Sequence, residues 1–421
     1  MGCDVLQKAM KSPSQSKSRR LRLSRVWAPK RSIALSVAVA IEAMHVQRLP
    51  AENQIDYRYE NYIEDDNRIE VKTHSALFDV AIKEGLLAIK GELVHDAVSG
   101  ATPSGAAPPK EYNYDWVPIL GFQPPILGNT NGTSVPLKHM DDERKSISLE
   151  LPITLGRHEL TPQVSYSDES DYKSTGAALN YSIQLNEKNT TLSFGWAHSW
   201  DVVNDDRGRQ QDKNSDDFLV GLNQLLGPKT VLGLNLSYGH SHGYLNDPYR
   251  SIVGATDPQL NADDPSRTPE ERPDSRDKYI ARVSLTQFIT PLHASVEGAY
   301  RFYHDDFGID AHMVELAWYQ KLAKNIIVSP NFRYYYQTQA DFYYEILPGS
   351  IYNPPRYYSP DYRLSEFEAF SYGVNVTLKM SESLMFDASY KRYTMEGLDG
   401  HTSQSAYPSA NVFSVGARIF F

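Results

Sequence analysis

Cysteine is almost missing from this 421-residue chain: Cys3 is the only one, so the chain can form no disulfide with itself and no cysteine cage for a metal. Long apolar runs are missing too. The longest, residues 32–44, is interrupted by Glu42, and mean hydropathy is −0.48, which excludes a polytopic helical membrane protein. Basic residues are scarce in the body of the chain. Ten of the 42 Lys/Arg and two of the 52 Asp/Glu fall within residues 1–50, which leaves 32 against 50 in residues 51–421. A body carrying about −18 argues against a nucleic-acid partner, which needs a basic face to displace counterions. The length would suggest two or three domains unless it forms one large all-β barrel.

The basic residues cluster at the start. Lys8, Lys11, Lys17, Arg19, Arg20, Arg22, Arg25, Lys30 and Arg31 precede the apolar run. A basic segment ahead of a short apolar one is the pattern of an export signal, and the run is short for a transmembrane helix of ~20 residues. Residues 1–51 are therefore expected to be a leader, with cleavage near Ala40 or Ala51. Cys3 precedes the apolar run and is lost with it.

From residue 52 to 421 the dominant pattern is alternation with period two, which marks strands with one apolar and one polar face. Ile147, Leu149, Leu151 and Ile153 share a face opposite Ser146, Ser148 and Glu150; Ala177, Leu179, Tyr181, Ile183 and Leu185 repeat the pattern. About sixteen such runs occur, with fourteen as the alternative: near 54–63, 68–82, 86–97, 143–154, 158–168, 173–186, 190–203, 216–226, 230–244, 278–289, 292–305, 309–322, 325–340, 364–379, 384–396 and 410–421. Their length suits a tilted strand crossing a bilayer. Short turns, as at Glu84-Gly85 and Thr290-Pro291, alternate with longer polar loops near 99–142, 204–216, 246–277, 341–362 and 397–409. Loops sorted by side in this way predict a single all-β, antiparallel transmembrane β-barrel with both termini on the periplasmic side. A soluble β-sandwich has no reason to sort them.

Twenty-eight tyrosines, with Trp196, Trp200, Trp318, Tyr319, Tyr334–Tyr336 and Phe342–Tyr344 near strand ends, fit rings at the two membrane interfaces. The final strand places Phe413, Val415, Ala417, Ile419 and Phe421 on one face and Ser414, Gly416 and Arg418 on the other. A terminal aromatic after alternating apolar positions resembles the assembly signal of bacterial outer-membrane barrels. Outer-membrane lipid and the barrel-assembly machinery are the expected partners.

Two segments carry a family resemblance. Ile55-Asp-Tyr-Arg-Tyr-Glu-Asn-Tyr-Ile-Glu-Asp65 with Arg68-Ile-Glu-Val71, and Val94-His-Asp-Ala-Val-Ser-Gly-Ala-Thr-Pro103, resemble the bacterial family called domain of unknown function 3570. The resemblance runs from about Gln54 to the end. It implies an outer-membrane barrel of unestablished activity in a Gram-negative type envelope, and supplies no catalytic residue.

The family-like motif includes His95, Asp96, Ser99, Gly100 and Pro103. A hydrolase needs its base within hydrogen-bond reach of the nucleophile, and neighbours on one strand point to opposite faces, so a structural strand end is the better reading. Asp96 and Ser99 could brace the following loop, which is long enough to fold inward as a constriction. His240 and His242, at i and i+2, are compatible with a metal, yet no third ligand is evident. The loop bearing Asp247, Asp257, Asp263, Asp264, Glu270, Glu271 and Asp274 could take Ca²⁺, but lacks the Asp-x-Asp-x-Asp-Gly pattern and is interspersed with Arg250, Arg267, Arg272 and Arg276. It is expected to be solvated. No cofactor or metal is expected.

On the polar faces stand Glu150, Arg282, Glu297, Arg301, Glu315, Arg333, Asp387, Lys391 and Arg418. In a barrel these charges belong to the interior, because the lipid face would penalise them. They form either a water-lined eyelet or a paired network that plugs the lumen. The function expected from sequence is a passive channel for small hydrophilic solutes, with a closed, non-conducting barrel of structural or docking role as the alternative. An enzyme is not expected.

Overall fold

The computed structural model describes residues 53–105, 112–113, 126–127, 135–254, 268–350 and 352–421. The leader lies outside the described residues, as does most of the 104–136 segment, including the part expected to fold inward.

Sixteen antiparallel strands form one closed barrel. In chain order they are β1 (Gln54–Glu64), β2 (Ile69–Lys83), β3 (Leu87–Pro103), β4 (Leu137–Glu150, resuming at Ile153–Leu155 after Leu151-Pro152), β5 (His158–Asp168), β6 (Tyr172–Leu185), β7 (Thr190–Asn204) and β8 (Gln210–Gly227). The second half comprises β9 (Thr230–Gly243), β10 (Ser275–Ile289), β11 (Ala294–Asp305), β12 (Asp310–Lys321), β13 (Ile326–Gln337), β14 (Phe367–Lys379), β15 (Leu384–Gly397) and β16 (Ala410–Phe420). Each strand pairs with its sequence neighbour. β16 pairs with β1 in a register that sets Ile419 opposite Ile55 and Gly416 opposite Arg58, so no edge is left open. The backbone N–H of Phe421 donates to the Asn53 carbonyl at 2.9 Å beside this seam.

Successive side chains take opposite sides of the wall. The outer side carries the apolar set: in β16, Phe413, Val415 and Ile419 are exposed, while Ser414 and Arg418 are buried within. Near the long-loop end, Trp196, Phe218, Tyr238 and Tyr279 face one another across β7 to β10 as a direct cross-strand row. One step further out lies a polar row of His198, Asp216, His240 and Asp277. The aromatic-to-polar change on one level is what a membrane interface imposes.

Three strands run further than alternation indicates. β3 continues to Pro103, β4 starts at Leu137 and β8 at Gln210. Outward positions there, such as Asp212 and Asn214 in β8, are polar, because the strands rise above the lipid band and lose the apolar alternation that marks them.

Not every aromatic cluster belongs to the interface rings. Tyr335 points inward and is buried, the Tyr319 hydroxyl donates to Glu297 at 3.3 Å, and Phe342 and Tyr343 are buried in a loop core; period two sends alternate residues of an aromatic run to opposite sides. Charge on the outer wall has a calculable cost. Val415→Arg, near mid-strand on the lipid side, is expected to cost about 2–4 kcal/mol and to slow insertion into liposomes, read by the loss of the heat-modifiable band on gels.

Candidate functional site

All nine interior candidates lie on the inner side of the wall. Arg282, Glu297, Arg301, Lys391 and Arg418 are buried; Glu150, Glu315, Arg333 and Asp387 are half-buried. Arg282 sits 3.9 Å from Glu297 and 3.7 Å from Glu315, joining β10, β11 and β12. At the seam the Arg418 Nε donates to Asp56 at 2.8 Å and Arg58 to Asp387 at 2.9 Å. Lys213 lies 3.4 Å from Asp201 across β8 and β7. These pairs link neighbouring strands along the wall and leave its charges largely matched.

At the long-loop end an apolar core packs loops against the inner wall. Leu219, Ile280, Tyr303, Met313, Tyr335 and Phe367 project inward from β8 and β10–β14 and meet Phe307, Phe342, Tyr343, Tyr362, Leu364 and Tyr407 of the loops in one buried core. Val135, just before β4, joins from the other side, its N–H donating to Ser405 at 2.9 Å. The core therefore joins β8 and β10–β14 to loop residues and to Val135. Leu219 and Ile280 adjoin Phe218 and Tyr279 of the outer aromatic row, so it also reaches down to the level at which the lipid band starts. Each large side chain buried there contributes roughly 1.5–3 kcal/mol.

Against this core lies a cluster of six charged side chains from the 244–274 and 338–366 loops. Arg272 reaches Glu270 at 2.6 Å and Asp361 at 2.8 Å; Arg363 reaches Asp361 at 2.7 Å and Asp247 at 2.5 Å. Arg250 lies 3.5 Å from Asp361 and stacks 5.5 Å from the Tyr362 ring. Glu270 also accepts from the Ser359 hydroxyl and the Asp247 N–H, each at 2.5 Å. Backbone bonds tie the loops together: Glu271 and Tyr358 exchange both of theirs, at 2.9 and 2.7 Å, and the Leu347 N–H donates to Val253. This corrects the expectation of a solvated loop for four of its charges, while Glu271 and Asp274 are exposed as expected. Asp247, Glu270, Arg250 and Arg272 are buried, since two carboxylates and two guanidiniums of balancing charge can leave water together where one could not. Asp257, Asp263, Asp264 and Arg267 lie outside the described residues.

Burial, with Asp247 and Asp361 nearby, pushes Glu270 up to about 7 despite Arg272. A carboxyl raised in this way binds a proton in the closed loops that it would release once freed into water. The packing of the two loops is then most stable below the ordinary carboxylate range and weakens as pH rises through about 7. The groups that face Glu270 are Arg272, Ser359, Asp247 and Asp361, with Arg250 and Arg363 beyond. Limited proteolysis of the 244–274 and 338–366 loops is expected to be faster at pH 8 than at pH 6, and Glu270→Gln should abolish the difference.

The motif of β3 is a brace. His95 faces outward beside His74 with ring centroids 6.3 Å apart, whereas Asp96 is fully buried inside, accepting from Thr73 at 2.5 Å and Arg144 at 2.6 Å. Ser99 is exposed and Pro103 fully buried. These residues do not assemble a nucleophile and base. Gly100 has φ +123°, and a Cβ there would stand 1.7 Å from the Arg68 carbonyl oxygen, so the motif needs glycine at this close approach. His240 bonds Asp277 at 2.8 Å and stacks on His242 on the outer side. Among the described residues the carboxylates close enough to share a cation are Asp142, Glu169 and Asp171. Arg144, 3.7 Å from Glu169, and the Tyr249 hydroxyl, donating to Asp171 at 2.6 Å, already occupy this group.

A family described as protein of unknown function (DUF3570) matches residues 31–211 and 206–412. Curated proteins yield no match. Among solved structures the fold is similar to a loop-deletion mutant of OmpT, an outer membrane protein of Vibrio cholerae (10% identity, 88% of this chain and 98% of that chain, TM-score 0.41). It is also similar to a bacterial polysaccharide outer membrane secretin (6%, 88% and 98%, TM-score 0.46) and to OccK2 of Pseudomonas aeruginosa in complex with glucuronate (8%, 88% and 98%, TM-score 0.40). At identities this low the likeness concerns the barrel fold alone.

Proposed function

We infer, from the premise that this chain belongs to the family described as protein of unknown function (DUF3570), that it is an outer-membrane passage for small hydrophilic solutes closed at rest by its own loops. The apolar core that packs the loops against the inner wall at the long-loop end is the observation that carries this reading. An inner wall lined with charge is what water and solutes require, and an apolar seal held by ionic contacts is what a closed mouth requires. The start of β1 and the end of β16 lie at the short-turn end, which fits the periplasmic side, and the outward face of Phe413, Val415, Ala417, Ile419 and Phe421 fits recognition by the barrel-assembly machinery.

The alternative is a barrel that never conducts. The burial of Arg282 between Glu297 and Glu315 and the full burial of Arg301 favour it, because a filled inner wall would block passage on its own. Planar-bilayer conductance separates the two. Wild type is expected to be mostly closed with brief openings, and variants that release the loops to conduct steadily. Loop-released variants that remain silent would leave the inner wall as the barrier and favour the non-conducting barrel.

A further inference from the structure

Arg250 is 1% exposed, yet its guanidinium makes no hydrogen bond among the described residues. Its Nε is 3.5 Å from Asp361 and 3.8 Å from Asp247, an attraction of charges beyond hydrogen-bond reach. Nη1 and Nη2 have no partner at all among the described residues. A buried guanidinium ordinarily uses its planar edge on a two-oxygen acceptor, and among the described residues that edge meets none. One Nη of Arg363 is likewise buried without a hydrogen bond among the described residues.

We propose that Arg250 receives a small oxyanion, a carboxylate or phosphate group, between the 244–274 and 338–366 loops, and that the bound anion competes with Asp361 and Asp247 for the arginines and so frees the loops. The two Nη atoms offer parallel N–H donors at the spacing of two oxygens on one centre. Three arginines stand against Asp247, Asp361 and Glu270, and with Glu270 protonated the cluster has a positive charge to offer an incoming anion. Once an anion neutralises Arg250 and draws on Arg272 and Arg363, Asp361 loses the contacts that tie the two loops. The freeing step rests on the closed-passage reading above; the binding step does not.

The test uses the full chain refolded in detergent, with inorganic phosphate, acetate and chloride as probes in calorimetry and in bilayers. Saturable binding of one phosphate or acetate per barrel is expected, with chloride inert, and the same anions should raise open probability several-fold. Phosphate binding without acetate binding would assign a phosphoryl-bearing ligand, and binding of both a carboxylate or phosphate alike. Arg250→Gln should weaken binding at least tenfold. Arg250→Lys keeps the charge and removes the fork, so it should fold normally and still lose affinity. Absence of saturable binding, or affinity unchanged in Arg250→Lys, overturns the site. Binding with unchanged open probability overturns the freeing step while leaving the closed passage to be judged by loop-released variants.

Discussion

Asp361→Asn is expected to turn a mostly silent barrel into one that conducts steadily. Asp361 holds Arg363 at 2.7 Å and Arg272 at 2.8 Å, with Arg250 at 3.5 Å. The amide has nearly the same shape but no charge, which leaves three buried guanidiniums against Asp247 and Glu270. Removing one partner from a buried ionic cluster costs roughly 3–5 kcal/mol. The arginines that Asp361 holds all belong to the two loops, so the cost is expected to fall on the arrangement of the loops, and each 1.4 kcal/mol shifts the closed-to-open balance about tenfold. Bilayer recordings should show long openings, while the temperature at which the folded band is lost on gels stays near that of wild type.

The second large effect concerns the seam. Arg418→Met leaves Asp56 buried beside β16 with its guanidinium partner gone, and one Asp56 oxygen already lacks a hydrogen bond among the described residues. A loss of about 3–5 kcal/mol is expected in urea unfolding from lipid vesicles. Because β16 and β1 close the barrel, the loss should be read globally and not as fraying of one strand. Asp56→Asn combined with Arg418→Met should recover much of it, since the stranded charge and not the missing contact dominates the cost. A double variant as unstable as the single would put the cost in packing of the Arg418 stem instead.

These two sites differ in how visible they are from sequence. All sixteen strands are legible, because lipid outside and polar groups inside write period two along each strand, as in Phe413-Ser414-Val415. Arg418 is legible as an inward charge for the same reason; its partner Asp56 is not, being 362 residues away and set by barrel closure. The loops carry no period. Arg363 meets Asp247 across 116 residues, and nothing local distinguishes those charges from solvated ones. Phe342 and Tyr343 look like interface aromatics because composition cannot tell a ring at the headgroups from a ring in a loop core. His95, Asp96 and Ser99 are separated correctly by the alternation of a strand, whereas the Arg144 that holds Asp96 lies on the neighbouring strand and comes only with the register.

Glu271 and Tyr358 exchange both backbone hydrogen bonds, the pairing at which two antiparallel residues stand ~5.5 Å apart at Cα, within range of a disulfide. Cys3 lies in the expected leader, so Glu271→Cys with Tyr358→Cys gives the mature barrel a single thiol pair joining the two loops. The most direct measurement is single-channel conductance of this variant before and after reduction. The account predicts no openings while the disulfide holds the 244–274 and 338–366 loops together, and openings once it is reduced. Full-size openings with the tether intact would contradict it, because the loops would then not be what closes the barrel.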